Sequence, residues 1–326
     1  SLRAQDEIRY FYLVVKLLVE YEKGTASPWF PWFNSLPRYY ANGASLTAYC
    51  FTCLPPLVAT LARQERTTLH AFQSSLAKIP YLSESTKRNQ LLTKWAFSVA
   101  YTRSLEEPIN EEDDTGGNVR LVPLADMFNH GSEATTPEIA ITFDDAGNCL
   151  AHTTQDVPAG APLRIRYGDP TNPSYLLARY GFLDESAPAT FCKLMIPHVN
   201  ADLTDVLGYD PSNMLFYKDT GEVSPQVWNV LLYQVLSSSN VKDKRAFLQA
   251  IKDDDMATQE RLHQQYAAYT SEKLQTHVDN FLTTLDKLSQ RFQDRRVTDH
   301  PRMPLLWQHN EFVRQTFERV RERYFG

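Results

Sequence analysis

The residues best suited to chemistry lie in one segment, residues 121–183. It contains an adjacent Asn129 and His130 after an apolar approach, and two tyrosines, Tyr167 and Tyr180, that each precede a glycine. Any reaction at this segment would rest on side-chain amide, imidazole and phenol groups. The sequence offers no competing serine–histidine–aspartate triad, metal-ligand cluster or phosphate-binding loop. We therefore interpret this segment as the active centre.

Short strands and one helix are expected to position these residues. Alternating apolar residues, separated by turn residues, predict strands. The predicted strands cover residues 139–143, 149–154, 163–167 and 191–196. The third of them would end on Tyr167. After it, Asn172 is a predicted N-cap for a helix that begins at Pro173 and stops at Gly181.

Helices are predicted for most of the remaining chain. Apolar residues at helical spacing predict a helix over residues 6–21, and residues 45–105 read as helical with a break at Pro55 and Pro56. The aromatic and proline-rich segment 27–40 is interpreted as an ordered loop that fills the core. Further expected features are an acidic surface loop over residues 106–118, an all-α segment over 197–326, and within it one continuous apolar stripe from Thr258 to Phe292.

The composition limits the possible functions. A chain of 326 residues suggests about two domains, and a net charge of -6 argues against bulk binding to nucleic acid. The four cysteines are scattered, which favours a reduced, intracellular protein. No apolar run reaches the ~18 residues of a membrane helix. We expect a monomer that binds neither nucleic acid nor a membrane.

The motifs LVPLADMFNH, RIRYGD and LARYGF together resemble those of SET-domain protein methyltransferases. The resemblance is greatest to the Rubisco large-subunit lysine methyltransferase type, a group that includes the actin-histidine methyltransferase. It implies an α+β fold: a SET-domain β core within residues 1–196, with a helical insert over about 1–105. Residues 197–326 would then form an all-α substrate-binding domain.

The resemblance also implies an activity and a set of residues. The implied reaction is methyl transfer from S-adenosylmethionine to a lysine of a folded protein, without a metal. Burial beside aromatic rings would lower the lysine pKa from about 10.4 and favour the neutral amine. Tyr167 is the implied catalytic residue. The implied cofactor-binding residues are Arg103, Asn129, His130 and Phe182, and the implied substrate-binding residues are Arg103, Asp126, Tyr167 and Tyr180.

Two alternatives remain open. A histidine target would already have a neutral nitrogen at pH 7, so it would need orientation more than deprotonation. A non-catalytic protein-binding module is the other alternative, because residues 1–40 lack the glycine-containing turn with which this family opens its cofactor site. We expect that turn either to precede Ser1 or to have been lost together with methyl transfer. The family's longer segment after Tyr167 is replaced by Asp169-Pro170-Thr171, which leaves the target open.

Overall fold

The computed structural model describes residues 2–106, 119–131, 137–144, 146–168, 173–191, 199–210, 213–293 and 296–326. The chain forms two compact units. Unit 1 comprises Ser1–Thr47, Thr60–Pro170 and Tyr175–Ser186, and unit 2 comprises Ala48–Ala59, Thr171–Ser174 and Ala187–Gly326. The predicted cap Asn172, the predicted loop beyond Glu106 and the predicted strand beyond Phe191 lie outside the described residues. The proposed division of the chain at residue 196 stays a prediction.

The elements follow one another in a helix-rich order with short strands between them. The helices are α1 (Leu2–Glu22), α2 (Phe30–Ser35), α3 (Ala48–Thr52), α4 (Pro56–Leu76), α5 (Glu84–Arg88), α6 (Gln90–Arg103), α7 (Pro173–Tyr180), α8 (Pro225–Ser239), α9 (Val241–Lys252), α10 (Met256–Gln265), α11 (Ala267–Gln293) and α12 (Met303–Phe325). The strands are β1 (Ser104–Glu106), β2 (Val119–Leu121), β3 (Asn129–His130), β4 (Ile139–Phe143), β5 (Cys149–Thr153), β6 (Arg164–Ile165), β7 (Ala189–Phe191) and β8 (Leu215–Tyr217). No helix in these ranges is long and apolar enough to cross a membrane.

The core of unit 1 is built on helices α1 and α6. Val14 and Leu18 of α1 are fully buried, as are Phe97 and Val99 of α6. Burying each such side chain contributes about 1.5–3 kcal/mol. The predicted helix at residues 6–21 is confirmed as α1. The predicted break is confirmed too, since α3 ends before the two prolines and α4 begins at Pro56.

The aromatic segment 27–40 is helical in part, so the prediction of a loop was wrong there. Helix α2 accommodates Pro31 in its first turn, where a missing N–H costs nothing. Its Phe33 is 4% exposed and contacts Tyr21 and Trp95 edge-on. The predicted core-filling role is therefore confirmed for Phe33.

The strands of unit 1 form three small two-stranded sheets among the described residues. The predicted hairpin is confirmed as β4–β5, which pair from Ile139 with Thr153 to Phe143 with Cys149. The third predicted strand is shorter than expected. Its Arg164 donates its backbone N–H to the Glu138 carboxylate at 3.1 Å rather than to a strand. What remains, β6, pairs in parallel with β3, and this places Asn129 and His130 directly beside the chain that leads to Tyr167.

Unit 2 is helical apart from one small sheet. Strand β8 pairs with β7, so the prediction of an all-α segment over 197–326 was wrong at residues 215–217. The single helix implied by the predicted stripe from Thr258 to Phe292 was also wrong, because the chain breaks between α10 and α11 at Tyr266. The Tyr266 hydroxyl donates to Asp243 at 2.6 Å, which holds the chain at the break. Tyr269 is 59% exposed and does not belong to the buried stripe, whereas Leu274 and Val278 are fully buried.

A glycine at the end of α7 provides a test of this packing. Gly181 has a φ of +82°, and a Cβ there would lie 2.7 Å from the backbone carbon of Ala41. Gly181→Ala should therefore cost about 3 kcal/mol or more, from left-handed strain and overpacking together. Gly160→Ala is the matched control, since Gly160 has a φ of +83° with nothing within 4 Å of the added Cβ. It should cost only the strain, about 1–2 kcal/mol.

Denaturant unfolding of both variants measures the two costs. Equal losses of unfolding free energy would show that Gly181 is not packed against the 41–42 backbone.

Candidate active site

A cavity of about 480 Å³ in unit 1 brings together four of the residues predicted from sequence. Arg103, Asp126, Tyr167 and Tyr180 all line it. They come from the end of α6, the turn before β3, the chain after β6 and the end of α7. The predicted cluster is therefore a real spatial cluster, although the role of each residue stays a prediction.

Tyr167 is fixed at both ends. Its backbone N–H donates to His130 Nδ1 at 3.2 Å, and its hydroxyl donates to the Phe128 carbonyl oxygen at 2.5 Å. Because the hydroxyl proton is committed to Phe128, the phenol oxygen keeps its lone pairs for an acceptor role. Burial raises the pKa of Tyr167, Arg103 opposes that rise, and Asp126 adds to it. The residue is thus a neutral, oriented phenol at physiological pH.

Aromatic rings surround Tyr167. The ring of Tyr180 lies 4.8 Å from it between centroids, and that of Phe182 lies 6.3 Å away edge-on. Tyr175 contacts Tyr180 in turn. Burial, assisted by Tyr175, raises the pKa of Tyr180. The surroundings therefore disfavour charge, including that of an ammonium group.

The charged side of the cavity is a buried ion pair. Arg103 Nη1 lies 3.2 Å from Asp126 Oδ2, and the Asp126 side chain is fully buried. The same nitrogen donates to the Asp126 backbone oxygen at 3.0 Å, and Arg103 Nε donates to the Tyr40 hydroxyl at 3.4 Å. Burial alone would lower the pKa of Arg103, but its bonds to Tyr40 and Asp126 outweigh burial and raise it. Arg103 is therefore a permanent cation at the cavity wall.

His130 lies behind Tyr167, and its ring is 5.4 Å from the Tyr167 ring. Since Nδ1 accepts a hydrogen bond, the neutral ring carries its proton on Nε2. Nε2 lies 3.5 Å from Asp184 Oδ2. Burial lowers the pKa of His130, and the Asp184 carboxylate partly offsets this. His130 is thus neutral at pH 7 and supports Tyr167 through its ring and its Nδ1.

The remaining predicted cofactor residues do not line the cavity. Phe182 packs 5.6 Å from His130, and Asn129 on β3 is exposed. Both lie in the sequence close to residues that do line it. The structure thus separates the predicted set into a cavity-lining group and a group around His130.

Several side chains of the site were missed by sequence reasoning. Trp32 donates its indole N–H to Asp126 Oδ2 at 3.1 Å, from a segment interpreted as core filling. Tyr10 and Tyr101 line the cavity, and Arg179 lies 4.4 Å over the Tyr101 ring. Of these residues, only Arg179 could have been found from the sequence, because it adjoins Tyr180 in the motif LARYGF. The others come from helices far away in sequence, where nothing marks them as neighbours of the site.

The fold of the chain is similar to that of solved Rubisco LSMT structures. Rubisco LSMT bound to AdoMet matches with a TM-score of 0.62 at 16% identity, over 97% of this chain and 74% of that one. The SET domain of LSMT bound to lysine and AdoHcy matches with a TM-score of 0.63 at 15% identity, with the same coverage of both chains.

Rubisco LSMT bound to sinefungin and monomethyllysine matches with a TM-score of 0.60 at 15% identity, over 97% of this chain and 74% of that chain. No family model and no curated protein matches the sequence. At this level of identity the likeness establishes the fold.

The contact between His130 and Asp184 gives a test by titration. Asp184→Asn removes the negative charge that favours the imidazolium, so the pKa of His130 should fall further below 6.5. The control Asp156→Asn removes an equal charge at an exposed position and should leave the pKa of His130 unchanged. Histidine resonances followed by NMR between pH 4 and 8 measure the shift. A rise or no change in the pKa of His130 in Asp184→Asn would contradict this account.

Proposed function

We propose that the protein is an S-adenosylmethionine-dependent methyltransferase that modifies lysine side chains of a protein substrate. The observation that carries the proposal is Tyr167. Its hydroxyl proton is committed to Phe128, its ring packs on Tyr180, and it lines one cavity with Arg103 and Asp126. The fold supports the proposal, since the similar structures hold AdoMet, AdoHcy, lysine or monomethyllysine.

The residues present fit such a cofactor. Arg103 makes no hydrogen bond through Nη2 to any described residue, so this nitrogen can donate to a carboxylate. Phe182 offers an aromatic ring for an adenine, His130 is proposed to contact it largely through its backbone, and the exposed Asn129 offers an amide. The cofactor would supply a methyl group on a positively charged sulfur. Arg103, Asn129, His130 and Phe182 are the residues proposed to hold it.

The same cavity suits a lysine side chain. An amine can attack only when it is neutral, and the rings of Tyr167 and Tyr180 make the surroundings unfavourable to an ammonium. The Tyr167 oxygen, as an acceptor, would orient the amine N–H. Asp126 lines the same cavity and is the second residue proposed to act on the substrate side. Positioning of this kind supplies much of the rate of a direct group transfer.

The protein substrate is proposed to bind through unit 2 as well as at the cavity. Unit 2 presents exposed aromatic side chains on its helices, with Tyr269 59% and Trp307 49% exposed. Aromatic residues of this kind are enriched at protein interfaces. A folded protein is thus the substrate class that we propose.

Methyl transfer tests the proposal directly. The purified protein, incubated with methyl-labelled S-adenosylmethionine and a cell extract, should transfer label to lysine. Tyr167→Phe should lower the transfer rate about 100-fold with little change in KM, because it removes an acceptor that orients the amine. Tyr39→Phe is the control. Because Tyr39 is 92% exposed, this substitution should leave the transfer rate unchanged.

Mass spectrometry of the labelled protein identifies the modified residue. Label on histidine would overturn the lysine assignment. Absence of transfer together with absence of S-adenosylhomocysteine binding would overturn the enzyme proposal.

A further inference from the structure

The orientation of Arg103 is set by other side chains. Two of its three guanidinium nitrogens are held: Nε donates to Tyr40 and Nη1 donates to Asp126. The third, Nη2, bonds to none of the described residues. Because the guanidinium is planar and rigid, two fixed nitrogens determine where the third one points. The direction of the available donor thus depends on how firmly Tyr40 and Asp126 are held.

Asp126 is itself held from its other side by Trp32. The indole Nε1 of Trp32 donates to Oδ2 at 3.1 Å, and Arg103 Nη1 donates to the same oxygen at 3.2 Å. Two donors on one oxygen fix the plane of the carboxylate. Oδ1 is then left buried and without a partner among the described residues. A buried acceptor in this state costs about 1–3 kcal/mol.

The indole is placed by packing that does not involve the cavity. Trp32 lies on α2, and its ring is 5.3 Å from that of Phe33. Phe33 is buried and contacts Trp95 of α6, whose last residue is Arg103. Trp32 also lines a separate apolar cavity of about 340 Å³ but is absent from the lining of the site cavity. Its hydrogen bond to Asp126 therefore links it directly to a residue that lines the site cavity.

We propose that Trp32 is a positioning residue for methyl transfer: its indole N–H fixes Asp126, and through Asp126 it aims the Arg103 guanidinium. This inference rests on the proposed function. It assigns a role to a segment that precedes the motif residues by about 90 positions in the sequence, since Trp32 and Asp126 are 94 residues apart.

The first measurement detects the hydrogen bond without any reaction. The five tryptophans each give one indole N–H resonance, and the resonance lost in Trp32→Phe identifies Trp32. In Asp126→Asn the Trp32 resonance should shift more than the other four, because its charged acceptor has been replaced by a neutral one. An unmoved Trp32 resonance would overturn the proposal.

The second measurement separates positioning from stability. Trp32→Phe keeps the ring and removes the N–H. Trp95→Phe is the matched control: Trp95 belongs to the same aromatic cluster, and its N–H donates to the Pro37 carbonyl oxygen at 3.0 Å, away from the cavity. Both variants should lose some stability in denaturant unfolding. Only Trp32→Phe should lower kcat/KM for methyl transfer, by about 10- to 100-fold.

A double-variant cycle gives the decisive comparison. If Trp32 acts through Asp126, Trp32→Phe should have little further effect on the rate of Asp126→Asn. Trp95→Phe should leave the rate of both backgrounds unchanged. If the wild type is active and Trp32→Phe is as active as Trp95→Phe, the positioning role alone is overturned. A wild type without methyl transfer would overturn the proposed function and the positioning role together.

Discussion

The site depends on the parallel pairing of β3 with β6. Each strand has only two residues, and the pair joins Asn129 with Arg164 and His130 with Ile165. Gly131 extends the contact, since its N–H donates to the Ile165 carbonyl oxygen at 2.8 Å. Without this pairing, His130 Nδ1 would not reach the backbone of Tyr167. A very short sheet therefore determines where the phenol lies, and the helices around it determine what the phenol faces.

Two ion pairs neutralise arginines close to the cavity. The Arg164 guanidinium lies 2.6 Å from the Glu138 carboxylate and lowers the pKa of Glu138 to about 2, so the start of β6 is tied to the hairpin. Arg179 is paired with Glu65 at 3.0 Å, and burial raises the pKa of Glu65 although Arg179 opposes this. Removing one member of such a buried pair would leave an uncompensated charge. The aromatic wall can therefore remain apolar even though arginines lie next to it.

Sequence reasoning could group most of the candidate residues because they are close together in the chain. Tyr167, Tyr180 and the pair at β3 all fall within residues 121–183, and local patterns predicted the elements that carry them. The hairpin and α7 were predicted because their turn residues and period are encoded locally. The length of β6 was not, because a side chain, that of Glu138, takes the N–H of Arg164 in place of a strand.

Contacts between distant segments were beyond the reach of pattern analysis. Trp32 looks like any core tryptophan in the sequence, and only its hydrogen bond to Asp126 distinguishes it. The break at Tyr266 was hidden for a similar reason: the apolar spacing continues through it, while the bond to Asp243 that accompanies it comes from the neighbouring helix α9. Periodicity indicates which face of a helix is buried, but it does not indicate which polar atom of another segment that face contacts.

The fit of Gly181 against the backbone of residues 41–42 has a consequence for the order of folding. The two segments are far apart in the chain and touch so closely that no side chain fits between them. Contacts of such long sequence separation form late, after the loop between them has closed. Tyr180 and Phe182 flank this glycine, so the aromatic wall can be completed only once the loop has closed. A nascent chain that has not yet reached Gly181 therefore contains the Arg103–Asp126 part of the site but not the ring that would enclose a substrate.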